Sequence, residues 1–523
     1  MTALHLAMPF RSATSPRAHP RDVASRAGSN LLVSDAHGPR IHSLADGNRA
    51  FREGQFDRAA QIYLRAMMRN AALSGAISAS FVRARTAHLR QRSAMVSAQS
   101  SAMRVGVLGW EMSHNAAGRV QTLASLYEGW SEVQIMGCIF SASGRGVWEP
   151  IERSHIPLNF MTVADAAGFV SQAIDYVASN PLDLVHLSKP RGPNVILGLL
   201  YKLVWQAKVI MDVDDEELGF VGACEPTSPD AYLASIGALP SMTALMHKDW
   251  TQIAVGCAKA FDAISVSNPA LQARYGGPVI AHARDETRFQ SSQDMALASR
   301  ARFGFAPGQK IVLFLGTPRP HKGLMETAQA IASLADESIV FAVMGDFPSP
   351  SFKASLAAVP GVNFRFFSNQ AMEDVPAIVS MANAVVLLQD DQSLVGRMQF
   401  PAKLTDALAM GVPVISNQTD ALQDVARHGA VYLSDAGQLS QALKAVLYRA
   451  ELAAELKQLG RQYFESKLSV SANRAALQRL VGGLSERGSV QAELDRQLRC
   501  LGLGLKSPGI APLLQASHAG GAD

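Results

Sequence analysis

The sequence is poor in cysteine, in uninterrupted apolar runs and, over its first hundred residues, in lysine and acidic side chains. Its four cysteines, Cys138, Cys224, Cys257 and Cys500, lie far apart with no C-x-x-C spacing. That spacing suggests neither a zinc site nor a disulfide framework, and fits a reducing cytosol. No run approaches the ~18 apolar residues needed to cross a bilayer; the longest candidate, Val195 to Trp205, is interrupted by Lys202. No G-x-G-x-x-G follows an opening apolar strand, which counts against a Rossmann oxidoreductase. Residues 1–100 hold 14 Arg, no Lys and 5 acids, so +9 resides there and −5 in the rest of a chain whose total is +4. A remainder without a basic surplus argues against nucleic acid as a partner.

What is present is a globular composition, 48% hydrophobic and 18% charged, over 523 residues. That length exceeds a single hydrophobic core, and two or three domains are expected. Residues 1–40 read as a disordered leader: the first 21 are rich in Arg and Ser without acids, as in a transit peptide, but Pro9, Pro16 and Pro20 oppose an amphipathic helix. Residues 41–100 read as helical. Gly47, Gly54, Phe56, Ala59, Tyr63 and Ala66 resemble one tetratricopeptide repeat, with an ordinary helical hairpin as the alternative. Arg83, Arg85, Arg90 and Arg92 read as a solvated face or linker, with peripheral contact to an anionic membrane or a protein left open for this segment.

From Met103 the pattern becomes βα. Apolar runs at MRVGVLG, Val133–Phe140, Leu182–Leu187, Lys208–Val213 and Ala263–Val266 alternate with helical or loop-like segments, which assigns a parallel sheet to 101–285. The polar stretch Ala283–Ala306 reads as a hinge. A second series, Lys310–Leu315, Ile339–Met344, Val362–Phe367, Ala384–Leu388, Val412–Ser416 and Val431–Leu433, occupies 286–470. Residues 471–523 read as a helix and a disordered tail. The expected fold class is α/β: two doubly wound, Rossmann-like domains facing a ligand cleft at the carboxyl ends of both sheets, preceded by a short helical segment.

Two stretches carry the chemistry. KIVLFLGTPRPHKG ends a buried strand at Gly316 and places Arg319 and Lys322 beside a helix start, a geometry suited to phosphate. PAKLTDALAMGVPVISN puts Lys403 and Asp406 on one helical turn, with Leu404 between them. In the first half a βα loop carries His114, Gly118 and Arg119, and Gly118 would let a ligand approach the backbone. His186, alone at a strand end, reads as structural. The cluster Asp212, Asp214, Asp215, Glu216 and Glu217 could bind a divalent metal through hard oxygens or be a solvated loop.

LVHLSKP at Leu184–Pro190, KVIMDVDDEELGF at Lys208–Phe220, GTPRPHKGL at Gly316–Leu324 and PAKLTDALAMGVPVIS at Pro401–Ser416 together resemble the GT-B glycosyltransferases of family 4. The resemblance covers roughly three quarters of the chain. It implies a retaining, metal-independent transfer of a hexose-like unit from a nucleoside-diphosphate sugar to a glycan, lipid-linked or other hydroxyl acceptor, with no further cofactor. The setting implied is cytoplasmic polysaccharide or glycoconjugate synthesis, peripheral contact at the inner membrane included. By the same resemblance Arg319 and Lys322 hold the leaving diphosphate. Gly316, Lys403, Leu404 and Asp406 bind the donor, with Asp406 on the ribose in place of the family's glutamate. His114, Gly118, Arg119 and Asp214 lie on the acceptor side. Two departures stand out: Thr317 occupies the family's arginine position, and Met398 replaces a glutamate near the donor sugar, leaving Asp390, Asp391 or Arg397 to supply polar contacts. A non-catalytic sugar-nucleotide-binding or scaffold protein and a sugar-nucleotide epimerase are the alternatives.

Overall fold

The computed structural model of the chain describes residues 43–69, 74–99, 101–141 and 144–486. The expected leader, 1–40, and the expected tail from Ser507 lie outside the described residues.

Apolar runs bounded by glycine build two sheets of six strands each, all paired in parallel. The first comprises β1 (Met103–Gly109), β2 (Ser131–Phe140), β3 (Leu158–Val163), β4 (Leu184–Ser188), β5 (Lys208–Val213) and β6 (Ala263–Val266), in the order β3-β2-β1-β4-β5-β6. The second comprises β7 (Lys310–Leu315), β8 (Ile339–Met344), β9 (Asn363–Phe367), β10 (Ala384–Leu387), β11 (Val414–Ser416) and β12 (Tyr432–Leu433), in the order β12-β11-β10-β7-β8-β9. Read from β9, the second order repeats the first. Helices cover both faces of each sheet, so a central strand such as β8, IVFAVM, is buried along its whole length and reads as one apolar run. This is the expected GT-B arrangement, and the strand order reverses beside β1 and β7, where parallel sheets leave a crevice.

Strand β3 is the one strand that sequence reasoning passed over. LNFMTV pairs only with β2 at the sheet edge, and its exposure is mixed along its length, so it lacks the apolar run of a central strand. Both halves also use the same close approach. A Cβ on Gly137, at φ +142°, would lie 2.2 Å from the Gly109 carbonyl oxygen, and one on Gly345, at φ +143°, would lie 2.2 Å from that of Gly316. Only glycine permits either contact.

Before β1 stand α1 (Leu44–Arg52), α2 (Phe56–Arg69) and α3 (Ser74–Ser97). Ser43 and Asp46 close a capping box on α1. Gly47 lets the Tyr63 ring approach: an added Cβ would lie 2.8 Å from it. Ala59, Tyr63, Met67 and Phe81 share one core with Val177, Tyr201 and Trp205 of the first half. The solvated-face reading is corrected for two arginines. Arg85 is 1% exposed and donates to the Leu203 carbonyl at 2.8 Å, while Arg92 pairs with Asp183 at 2.6 Å. Docking α3 against the body buries them.

The chain then crosses back. Helix Val470–Gly482 packs Val470 and Leu477 into the cluster that holds Val120 and Leu123 of α4 (Ala117–Tyr127). The expected hinge contains a helix, Gln293–Arg302. Among the described residues no helix is long and apolar enough to cross a membrane.

Candidate functional site

The carboxyl ends of the two sheets enclose a cleft of about 790 Å³. His114, Gly118, Arg119, Asp214, Gly316, Arg319, Lys322, Lys403 and Asp406 all line it. Leu404 does not: its side chain is 0% exposed in the core of the second half, and its N–H is bonded to the Pro401 carbonyl. The expected donor contact through Leu404 therefore has no free group at the cleft.

On the second-half wall three cations meet. Gly316 ends β7, and the loop places Arg319 and Lys322 ahead of helix Leu324–Leu334, whose N-terminus has no side-chain cap. Its first N–H groups are left open, at the positive end of the helix dipole. The Lys322 ammonium donates only to the Thr317 carbonyl, at 3.0 Å. Lys403 lies over the Phe314 ring at 3.7 Å. Among the described residues none of these three cations pairs with a carboxylate. Burial, with Arg319 adding repulsion, lowers the Lys322 pKa to about 8, and burial with Lys322 beside it holds Lys403 well below the usual lysine value.

The first-half wall has the opposite character, because every one of its central charges is paired. Arg119 donates to both Asp212 oxygens at 2.9 and 2.8 Å and to the carbonyls of Ala281 and Ile280 at 2.9 and 2.6 Å. Its donors are thus committed before any ligand arrives. Lys189, held at φ +76°, reaches Asp214 at 3.2 Å, Asp215, and Glu217 at 3.5 Å. Asn194 fixes that loop by donating to the Ser188 and Lys189 carbonyls at 2.5 and 3.1 Å. Asp214 also contacts His282 Nε2 at 2.8 Å. Burial opposes its charge, yet His282, Lys189 and Arg119 keep its pKa well below the usual carboxylate range. Arg191 pairs with Glu217, and Arg274 with Glu216 at 2.8 Å. The solvated-loop reading of the Asp212–Glu217 cluster is therefore corrected: all five acids are buried and each has a basic partner or a donor.

The remaining expectations divide. The His114 pKa falls to about 4 through burial and the nearby Lys189 and Arg319, so the ring is neutral, and its Nδ1 accepts from the Ala116 N–H at 3.2 Å. Gly118 sits under the Trp148 ring, which an added Cβ would meet at 3.4 Å. His186 is buried between the Tyr127 and Ser265 hydroxyls, each at 3.0 Å, in keeping with a structural role. Asp406 accepts from Arg284 Nε at 2.6 Å, and Arg284 also donates to Thr122 on α4 at 3.2 Å. Met398 does not line the cleft; Asp390 does, while Asp391 and Arg397 do not. Sequence reasoning missed Trp110, Arg191, His282, Arg284, Gln389 and Gln399, which also line it. For Arg284 a signal was present: a charged side chain inside the AHARD segment read only as a hinge.

Comparisons with known proteins divide along the same line. Residues 297–463 match the family model "Glycosyl transferases group 1". "Putative colanic acid biosynthesis glycosyl transferase WcaI" of Escherichia coli (strain K12) is 29% identical over 126 residues, which is 24% of this chain and 30% of that protein. The chain thus matches about a third of that relative's length. Anabaena Alr3699/HepE, crystallised with UDP and glucose, superposes with a TM-score of 0.55 at 14% identity, covering 73% of this chain and 99% of that one. A glycosyltransferase from Rickettsia africae ESF-5 does so with a TM-score of 0.55 at 11% identity, covering 74% and 100%. The two-sheet body therefore has the fold of these glycosyltransferases, and its second half carries the group 1 glycosyl transferase match.

Proposed function

We propose that the chain transfers a glycosyl unit from a nucleoside-diphosphate sugar to a hydroxyl acceptor, with retention of configuration. The observation that carries this reading is the trio of Arg319, which is exposed, and Lys322 and Lys403, which are half-buried; among the described residues none of them forms an ion pair with a carboxylate. Uncompensated cations in a partly buried cleft favour a polyanion, and a diphosphate departing with a full extra charge is stabilised most where the cations are already in place. In the transfer, the bond from the anomeric carbon to the diphosphate oxygen breaks with its electron pair on that oxygen. The acceptor oxygen bonds to the same carbon and its proton passes to the departing phosphate. Asp406 takes the ribose hydroxyls through the oxygen that Arg284 leaves open, and the His114–Gly118 loop with Asp214 borders the acceptor.

The likeness to WcaI supports a setting in glycoconjugate assembly, and the UDP bound by the HepE structures supports a nucleotide donor. A second reading, a sugar-nucleotide-binding protein without transfer, is favoured by one observation: Met398 faces away from the cleft. Thermal-shift titration with UDP, GDP, ADP, dTDP and their sugars, followed by product analysis by NMR, tests both readings. A shift with transfer and a retained anomeric configuration is the expected result. Tight binding without turnover over a broad acceptor panel would establish the second reading, and the absence of any shift would overturn both.

A further inference from the structure

Met398 is conspicuous because it leaves the cleft that its neighbours line. It stands at the end of the short helix Leu394–Met398 in the second half, and its side chain packs against Val213, Val266 and Leu271. All three belong to the first half: Val213 ends β5, Val266 ends β6 and Leu271 lies in the helix Pro269–Tyr275. Each is fully buried, so the socket is a rigid part of that half. The contact is reinforced at the backbone, where Asn268 Nδ2 donates to the Met398 carbonyl at 3.0 Å.

The residues on either side bridge the same gap. Val395 packs so closely on Gly219 that a Cβ there would meet its Cγ2 at 2.6 Å. Gln399 turns the other way, into the cleft, and its Nε2 donates to Asp215 at 2.9 Å. Asp215 is the carboxylate that holds Lys189, and its field also reaches Lys322. The five residues 395–399 thus touch the first half at four points, two apolar, one backbone and one polar, and the polar point adjoins the proposed diphosphate site.

We propose that Met398 is a positioning residue: an apolar knob that clasps the second half onto the first, fixes Gln399 against Asp215 and sets the separation of the cleft walls. The proposal rests on the transferase reading for its kinetic consequence, but the clasp itself is a statement about geometry. A knob-and-socket contact without charge can open and close at little electrostatic cost, whereas a carboxylate at 398 would be driven into an apolar socket. Misplacing reacting groups by about 1 Å costs about 100-fold in rate, so loosening the clasp should lower turnover while leaving the second-half anion site intact.

The test compares the full chain with Met398→Glu and Met398→Leu, first by small-angle scattering and then, with the donor identified by the thermal-shift panel, by transfer kinetics. Met398→Glu is expected to enlarge the radius of gyration and to lower kcat about 10- to 100-fold, with the dissociation constant for the nucleoside diphosphate changed by less than about threefold. Met398→Leu is expected to restore both compactness and kcat. Unchanged scattering for a folded Met398→Glu variant overturns the clasp, whether or not kcat falls. If Met398→Glu does not fold, Asn268→Asp, which loses the Nδ2 donor to the Met398 carbonyl but keeps the Oδ1 that caps the helix at the Ala270 and Leu271 N–H groups, is expected to open the particle in the same sense, and an unopened Asn268→Asp particle overturns the proposal. Should no nucleotide bind the native chain, the transferase reading fails while the scattering comparison still decides the clasp.

Discussion

The two halves share a strand order and a glycine contact at the end of the first strand, yet they treat charge in opposite ways. In the first half Arg119, Lys189, Arg191 and Arg274 are each bound to acids of the Asp212–Glu217 run. In the second half Arg319, Lys322 and Lys403 face the same cleft, and among the described residues none forms an ion pair with an acid, Asp215 reaching Lys322 and Asp406 reaching Lys403 only through their fields. One wall is internally paired; the other holds repulsion that a ligand would relieve. The fold alone therefore does not place the chemistry. The charge pairing distinguishes the walls, and the proposed reading rests on it in placing the anion at the second half.

The comparison can be broken from either side. Lys189→Met should have the largest effect, because it leaves Asp214, Asp215 and Glu217 without their shared cation in a buried setting; a loss of about 3–5 kcal/mol in unfolding free energy is expected from chemical denaturation. An unchanged denaturation midpoint would mean that the first wall is not held by its pairs. Replacing both Arg319 and Lys322 by alanine should weaken nucleoside diphosphate binding about 100-fold by calorimetry, the equivalent of roughly 2.7 kcal/mol, in line with the loss of charge-assisted hydrogen bonds. Asp406→Asn should cost less, about five- to tenfold for the nucleoside diphosphate and close to nothing for inorganic pyrophosphate, since the proposed reading puts it on the ribose. Equal losses for both ligands would remove Asp406 from that role.

A smaller effect is expected from pH. The Lys322 pKa is lowered from 10.5 to about 8 in the folded chain. Between those values the unfolded chain keeps a proton that the folded one has released, so this lysine's contribution makes the fold more stable as pH rises through the window and less stable below it. Nucleotide affinity runs the other way, being full below about 8 and declining above it as the ammonium is lost. Calorimetric titrations across the window check the sign, and affinity that rises with pH would contradict it.

Much of this was legible in the sequence, and the limits are instructive. The central strands declared themselves because burial on both faces demands continuous apolar runs, as in Lys310–Leu315 and Ile339–Met344. β3 did not, because an edge strand with one neighbour tolerates Asn159 and Thr162. Arg319, Lys322, Lys403 and Asp406 could be found because each lies within a short local pattern. The pairing of Arg119 with Asp212, 93 positions apart, could not, and an acidic run on paper is indistinguishable from a solvated loop until its partners are in place. Met398 was read as a loss because a linear pattern assumes that the side chain faces the cleft. In three dimensions Gln399 faces it and Met398 turns into the other half.

The most direct test of the account measures one quantity, the unfolding free energy without ligand, on two methionine substitutions of similar size, Lys189→Met and Lys322→Met. The account predicts opposite signs: the first destabilises the chain, while the second relieves repulsion with Arg319 and Lys403 and stabilises it by about 1 kcal/mol, at the expense of the nucleotide-induced shift. Destabilisation by both substitutions to a similar extent would contradict the claim that the second wall stands uncompensated and awaits an anion.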